Sequence, residues 1–162
     1  MDWRLETLDR RFWIVGFSKR ISLQFEGENH QLDELVGKMT PAVAAHLKSI
    51  NDRSPEGILN VSANFEDRTR EGSMLDQFLG VASSRPQEGF ACLEVPSLQW
   101  AVFTAIGPYP EALQQTWADI YGKWLAECGF SLTGGPEILR NLSTDCSAAD
   151  FHSEIWIPVH AR

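Results

Sequence analysis

The residue in this chain best placed to do chemistry is a carboxylate set in an apolar run. In Ser153-Glu154-Ile155-Trp156-Ile157-Pro158-Val159, β-branched and aromatic side chains dominate and a proline that cannot donate to a ladder lies near the end, so the run reads as a strand. Glu154 is the exception, because a buried carboxylate is costly unless something pairs with it. Either it faces water on the exposed side of a half-buried strand, or it is the polar anchor of an otherwise apolar pocket. In the second case it accepts hydrogen bonds or charge and donates nothing while ionised. Aromatic rings around it would add cation–π attraction of roughly 0.5–2 kcal/mol each, a design with broad specificity for flat cations.

The two-residue period of a strand puts Trp156 and His152 on the face of Glu154, and turns Ile155, Ile157 and Val159 to the other. Adjacent strand residues point apart, so His152-Ser153-Glu154 is not a triad. His30, His46, His152 and His160 are scattered, with no nucleophile motif near them. Neither a GxGxxG nor a Walker-type loop occurs, and Gly134-Gly135-Pro136 reads as an ordinary turn. Cys92, Cys128 and Cys146 are odd in number and lack CxxC spacing, which argues against a disulfide framework and a zinc site and fits a reducing cytoplasm. No metal or cofactor is expected.

The elements that must position these residues follow from hydrophobic period. An opening strand runs from about Trp3 to Ser22, broken near Asp9-Arg10-Arg11, and a polar break follows at Glu26-Gly27-Glu28-Asn29. Leu32, Val36, Met39, Val43 and Leu47 recur at helical spacing. Pro41 interrupts them, so two short helices or a kink are expected, with Thr40 capping the second. Strands are expected at Ile58–Phe65 and Met74–Ala82, with a charged loop between them at Glu66–Gly72. After the boundary at Ser83–Glu88 comes a strand from Phe90 to Ile106, then a turn at Gly107-Pro108-Tyr109-Pro110. A helix striped by Leu113, Trp117, Ile120, Tyr121, Trp124 and Cys128 follows, and strands at Glu137–Leu142 and Phe151–Val159.

The two halves, 1–84 and 88–162, superpose in order. Phe12-Trp13-Ile14-Val15 aligns with Gln99-Trp100-Ala101-Val102, the two helix stripes align, and Asp76 aligns with Glu154 and Phe78 with Trp156. The reading is a duplicated strand-helix-strand-strand unit. Each helix covers one face of a three-stranded sheet, and the two bare faces meet as a cleft. Phe78 and Asp76 would join Glu154 and Trp156 there, with Trp100 assigned to the same face. Trp117 and Tyr121, one turn apart, could close one end, although plain packing of the helix stripe is the preferred reading for them and for Trp124. Asp76 equally fits a surface acid.

Composition bounds the partners. The 162 residues, 43% hydrophobic and 22% charged, are globular values for a single domain with an internal repeat. No apolar run approaches a membrane span, and the charged N-terminus is no signal peptide. A net charge of −8, with basic residues clustered only in pairs, argues against direct nucleic-acid binding and favours cationic small molecules.

Three of these stretches together resemble a known family. They are Trp100-Ala101-Val102-Phe103 with Gly107-Pro108-Tyr109, then Thr116-Trp117-Ala118-Asp119-Ile120-Tyr121-Gly122-Lys123-Trp124-Leu125, then Glu154-Ile155-Trp156-Ile157-Pro158-Val159. In order and spacing they are similar to the GyrI-like small-molecule-binding domain, the effector-binding domain appended to AraC-type and MerR-type transcription regulators. The resemblance spans essentially the whole chain. It implies an α+β fold of duplicated units with pseudo-two-fold symmetry, antiparallel sheets forming a ligand cleft and helices on the opposite faces. It also implies binding of amphipathic, often cationic, aromatic compounds by a central glutamate, which maps onto Glu154. No residues remain for a helix-turn-helix, so a stand-alone cytoplasmic bacterial protein is expected. Two alternatives stay open. One is hydrolysis of electrophilic cyclopropane-type toxins, with Glu154 as base and Tyr121 or Tyr109 as proton partner. The other is a protein-binding role of the kind that members acting on gyrase suggest, with a homodimer also open.

Overall fold

A computed structural model describes residues 1–25 and 29–162. The chain runs β1 (Trp3–Leu8), β2 (Phe12–Ser22), a 3₁₀ turn at His30–Leu32, α1 (Asp33–Lys38), α2 (Pro41–Ile50), β3 (Leu59–Ala63) and β4 (Met74–Ser83). It continues with β5 (Ala91–Val95), β6 (Leu98–Ile106), α3 (Glu111–Asp119), a π-helical turn at Ile120–Trp124, α4 (Leu125–Glu127), β7 (Phe130–Leu132), β8 (Glu137–Asn141) and β9 (His152–Ala161). Most of the polar break expected before the first helix, Glu26-Gly27-Glu28, lies outside the described residues.

Local chemistry accounts for most of these boundaries. Pro41 lacks an N–H and cannot extend α1, so the apolar stripe splits into two helices. Thr40 Oγ1 accepts a hydrogen bond from the Val43 N–H at 3.3 Å and caps the second. Val36 of the expected stripe is exposed, because α1 is too short to turn every stripe residue inward. The short strand β7, which the apolar period did not reveal, pairs with the end of β9.

The strands form one antiparallel sheet in the order β1-β6-β9-β8-β3-β4-β2-β5, with β7 beside β9. β1 and β2 are linked by only three residues yet stand six strand spacings apart, about 29 Å in a flat sheet. The link spans at most about 14 Å, so the sheet must curl. It curls far enough to close. β1–β2 and β5–β6 are each one long strand with a break, and they pair along their length, Leu8 with Leu98 and then Phe12 with Val95. The first strand carries one residue more than its partner between those pairs, the count of a β-bulge. The first break falls at Asp9-Arg10-Arg11, as expected, while the second, at Pro96-Ser97, interrupts a run that reads as a single strand from the sequence.

Closure fills the inner face. Phe12, Ile14, Leu59, Val61, Phe78, Val95, Trp100, Val102, Ile138 and Trp156 form one buried cluster drawn from seven strands. The helices lie on the outer face. α2 packs over Val15 and Val81, and the α3 region packs over Ala101, Phe103, Ile155, Ile157 and Val159. The α+β class, with antiparallel strands and helices on the opposite face, stands as expected. The strands join in one sheet rather than two three-stranded ones, and the face away from the helices is buried. One detail of the sequence alignment fails. Trp13 packs on the α2 side while Trp100 is interior, so pairing those two tryptophans is off by an odd number of residues.

Gly16 and Gly80 face each other across β2 and β4. A Cβ at Gly80 would run into the Val15 carbonyl, and one at Gly16 into that of Leu79. Gly80→Ala is expected to destabilise the fold by about 2–3 kcal/mol through forced separation of the strands. Urea unfolding measures this, and a change below about 0.5 kcal/mol would show that the strands have room to spare.

Candidate functional site

Glu154 lies on the interior face at one end of the closed sheet, and it is paired. Arg140 Nη1 donates to its Oε1 at 3.1 Å, Arg4 Nη2 to its Oε2 at 3.2 Å, and the Trp156 indole N–H to Oε1 at 3.3 Å. The Arg4 guanidinium also lies 5.9 Å from the Trp156 ring centroid. Register brings these groups together, since Glu154 pairs with Arg140 across β8–β9. Burial pushes the Glu154 carboxyl up, but the bonds from Arg140 and Trp156 and the Arg4 charge outweigh it, and the net shift is downward. Arg4 Nε also pairs with Glu6 at 2.9 Å and Arg140 Nε donates to the Glu56 carbonyl at 3.0 Å, so both arginines are held in place.

The other residues picked from sequence divide between the two faces. Trp100 and Phe78 are interior with Trp156, and the Trp100 and Trp156 rings meet edge to face at 6.3 Å. Asp76 lies near the start of β4, at the opposite end of the interior from Glu154. It accepts from Arg20 at 3.2 Å and from the Asn64 amide at 2.8 Å. The expected shared cleft of Asp76 and Glu154 does not form. Trp124 packs in the outer core, edge-on to Phe103 at 4.8 Å, and Tyr109 packs on Phe151 at 5.0 Å.

Trp117 and Tyr121 do meet a carboxylate, but a different one. Glu137, the first residue of β8, points to the outer, helix-covered face, opposite to Ile138 and Trp156. The Tyr121 hydroxyl donates to Glu137 Oε2, and Arg68 Nε reaches Oε1 at 3.0 Å and Oε2 at 3.1 Å. Three distant segments supply this set: the start of β8, the π-helical turn after α3, and the β3–β4 loop. The loop is held by its own bonds. Asp67 accepts from the Thr69 N–H and hydroxyl at 3.0 and 2.7 Å, and the Ser73 hydroxyl donates to the Asp67 carbonyl at 2.6 Å.

The aromatic rings around this centre form a cage. The Trp117 and Tyr121 rings are nearly parallel, with centroids 6.3 Å apart. The Arg68 guanidinium carbon lies 4.2 Å from the Tyr121 centroid, 5.4 Å from Trp117 and 5.5 Å from Phe65. Arg68 also stands in the wall of two cavities. One, of about 580 Å³, is bounded by Phe25, Trp117, Ala118 and Tyr121 with Glu111, Gln114 and Gln115. The other, of about 220 Å³, is bounded by Phe65, Leu132, Ile157 and Glu137. Burial drives the Glu137 carboxyl upward against the pull of Arg68 and Tyr121, and the shift stays upward. Burial and the Glu137 charge also push the Tyr121 phenol up, which keeps it a neutral donor. Sequence reasoning missed Glu137, Arg68 and Phe65. Among the described residues no cluster of metal-binding side chains occurs, and no helix is long and apolar enough to cross a membrane.

The comparisons agree with this architecture. The family model of the GyrI-like small molecule binding domain matches residues 1–160. The structure of SAV2435 bound to tetraphenylphosphonium is similar over 99% of this chain and 94% of that one, at 18% identity and TM-score 0.76. The EcmrR C-terminal domain is similar over 99% and 98%, at 15% identity and TM-score 0.63. A hydrolase from Listeria innocua is similar over 98% and 91%, at 14% identity and TM-score 0.53. Among curated proteins none matches the chain.

If Glu154 serves the fold, Glu154→Gln costs about 1–2 kcal/mol at neutral pH, discounted because Arg4 is half exposed. Its carboxyl is depressed in the folded state, so its contribution is present above the ordinary carboxylate range and fades as pH falls through the lowered value. Unfolding measured at about pH 7 and pH 3 is expected to show a smaller difference between variant and wild type in acid. An equal difference at both would mean the ion pairs are not its source.

Proposed function

We propose, from the premise that the chain belongs to the GyrI-like small-molecule-binding family, that it binds amphipathic aromatic cations at the outer cage, with Glu137 as anchor. The observation that carries this is the buried carboxylate of Glu137 held by Arg68, which stands between a cavity of about 580 Å³ bordered by Trp117 and Tyr121 and one of about 220 Å³ bordered by Glu137 and Phe65. The larger volume falls in the range of small-molecule sites, about 300–1,000 Å³. The aromatic rings supply apolar area and cation–π attraction. Glu137 supplies a charge that desolvation makes strongly selective for a positive partner. That a similarly folded protein was solved with tetraphenylphosphonium supports this class of ligand. The free cysteines and acidic charge fit a cytoplasmic binding protein.

A hydrolytic role would use the same carboxylate beside a phenol, the pairing that general acid–base chemistry needs. What counts against it is that Arg68 engages both carboxylate oxygens and Tyr121 one of them, so no oxygen stands ready for water. The site reads as one that holds a cation, not one that activates a nucleophile.

The test is a fluorescence titration with tetraphenylphosphonium and with neutral triphenylphosphine oxide, for the wild type, Glu137→Gln and Glu154→Gln. The cation is expected to bind and the neutral compound to bind at least about tenfold more weakly. Glu137→Gln should remove that preference, about 1.4 kcal/mol, while Glu154→Gln keeps it. A Glu137→Gln variant that binds the cation as well as the wild type would overturn the proposal, and loss in Glu154→Gln alone would return the anchor to β9.

A further inference from the structure

The cage already holds a cation. The Arg68 guanidinium lies against the faces of Tyr121, Trp117 and Phe65 and engages Glu137, the contacts a lipophilic cation would itself seek. Yet its grip is incomplete. Only Nε reaches the carboxylate, shared between the two oxygens, not the parallel fork of two donors that makes arginine–carboxylate pairs strong. Among the described hydrogen bonds neither terminal nitrogen of Arg68 reaches the carboxylate. The side chain is carried by a surface loop and is one-fifth exposed, so it has somewhere to go. It also stands in the wall of both cavities, and its withdrawal would join about 580 Å³ to about 220 Å³.

Resting on the cation-binding reading above, we propose that Arg68 is a tethered occupant of the cage, which an incoming cation must displace from Glu137. Arg68 thereby sets the affinity threshold and confines binding to compounds that bring both positive charge and aromatic area. A neutral aromatic compound that evicted Arg68 would leave Glu137 buried without a counter-charge, so the tethered residue rejects it. The Arg68 charge also opposes the burial that raises the Glu137 carboxyl. When a cation arrives one positive charge replaces another.

The experiment is calorimetric titration of tetraphenylphosphonium into the full chain, as wild type, Arg68→Gln and Arg68→Lys. Arg68→Gln is expected to bind at least about tenfold more tightly, as for a site the arginine leaves open no more than about a tenth of the time. Arg68→Lys, which keeps the charge but loses the planar contact with the rings, should tighten binding to a lesser degree, and it decides the matter if Arg68→Gln does not fold. Unchanged or weaker binding in the folded variants overturns the role of Arg68. If the wild type and both variants fail to bind the cation, or binding ignores Glu137→Gln, it is the cation-site reading that falls.

Discussion

Burying the Glu137 carboxylate is the constraint on which the candidate site depends. Removing a carboxylate from water costs on the order of several kcal/mol even after relaxation, so its surroundings must answer that charge. The Arg68 loop, Tyr121 on the helix and the β8 strand answer it together. Each comes from a separate part of the chain, so the carboxylate also fixes how those parts lie against one another. The π-helical turn at Ile120–Trp124 belongs to the same solution. Its wider turn sits where Tyr121 has to reach the strand while Ile120 and Trp124 stay in the core.

Closure of the sheet explains why the cavities lie on the helix side. The long broken strands β1–β2 and β5–β6 pair with each other and draw the interior shut, and Trp100, Trp156 and Phe78 fill it. The bare face that an open pair of small sheets would have offered to a ligand is thereby consumed by packing. The Arg4–Glu154–Arg140 group finishes one end of that interior and satisfies the indole N–H of Trp156. Space remains where the cover of α3 and the β3–β4 loop is incomplete.

Much of the scaffold was legible in the sequence because it rests on local rules. The split of the first helix at Pro41, the break in the opening strand, and the alternation that puts Glu154 with Trp156 all follow from residue type and period, whereas the break at Pro96-Ser97 was not legible in the sequence. The site was legible only in part. Trp117 and Tyr121 stand out on any reading of the second helix, and both border the cage. Glu154 drew attention because it interrupts an apolar strand, but an interruption of that kind equally marks a structural ion pair, and this is what its register with Arg140 produces. Glu137 gave no such signal. At the head of a strand just after a glycine–proline turn it looks like any solvent-facing acid, and Arg68, which betrays its burial, lies 69 positions away in a loop whose charges look like ordinary surface charges. Pairings over that distance belong to topology, and period cannot see them.

The measurement that bears most directly on this account is the position of a bound cation. Tetraphenylarsonium has the shape and charge of tetraphenylphosphonium and carries a single strong anomalous scatterer. In a crystal of the complex the arsenic peak should lie within about 6 Å of the Trp117 and Tyr121 rings, beside Glu137, with the Arg68 side chain withdrawn from the carboxylate. An arsenic peak beside Glu154 and Arg140, inside the closed sheet, would contradict the account.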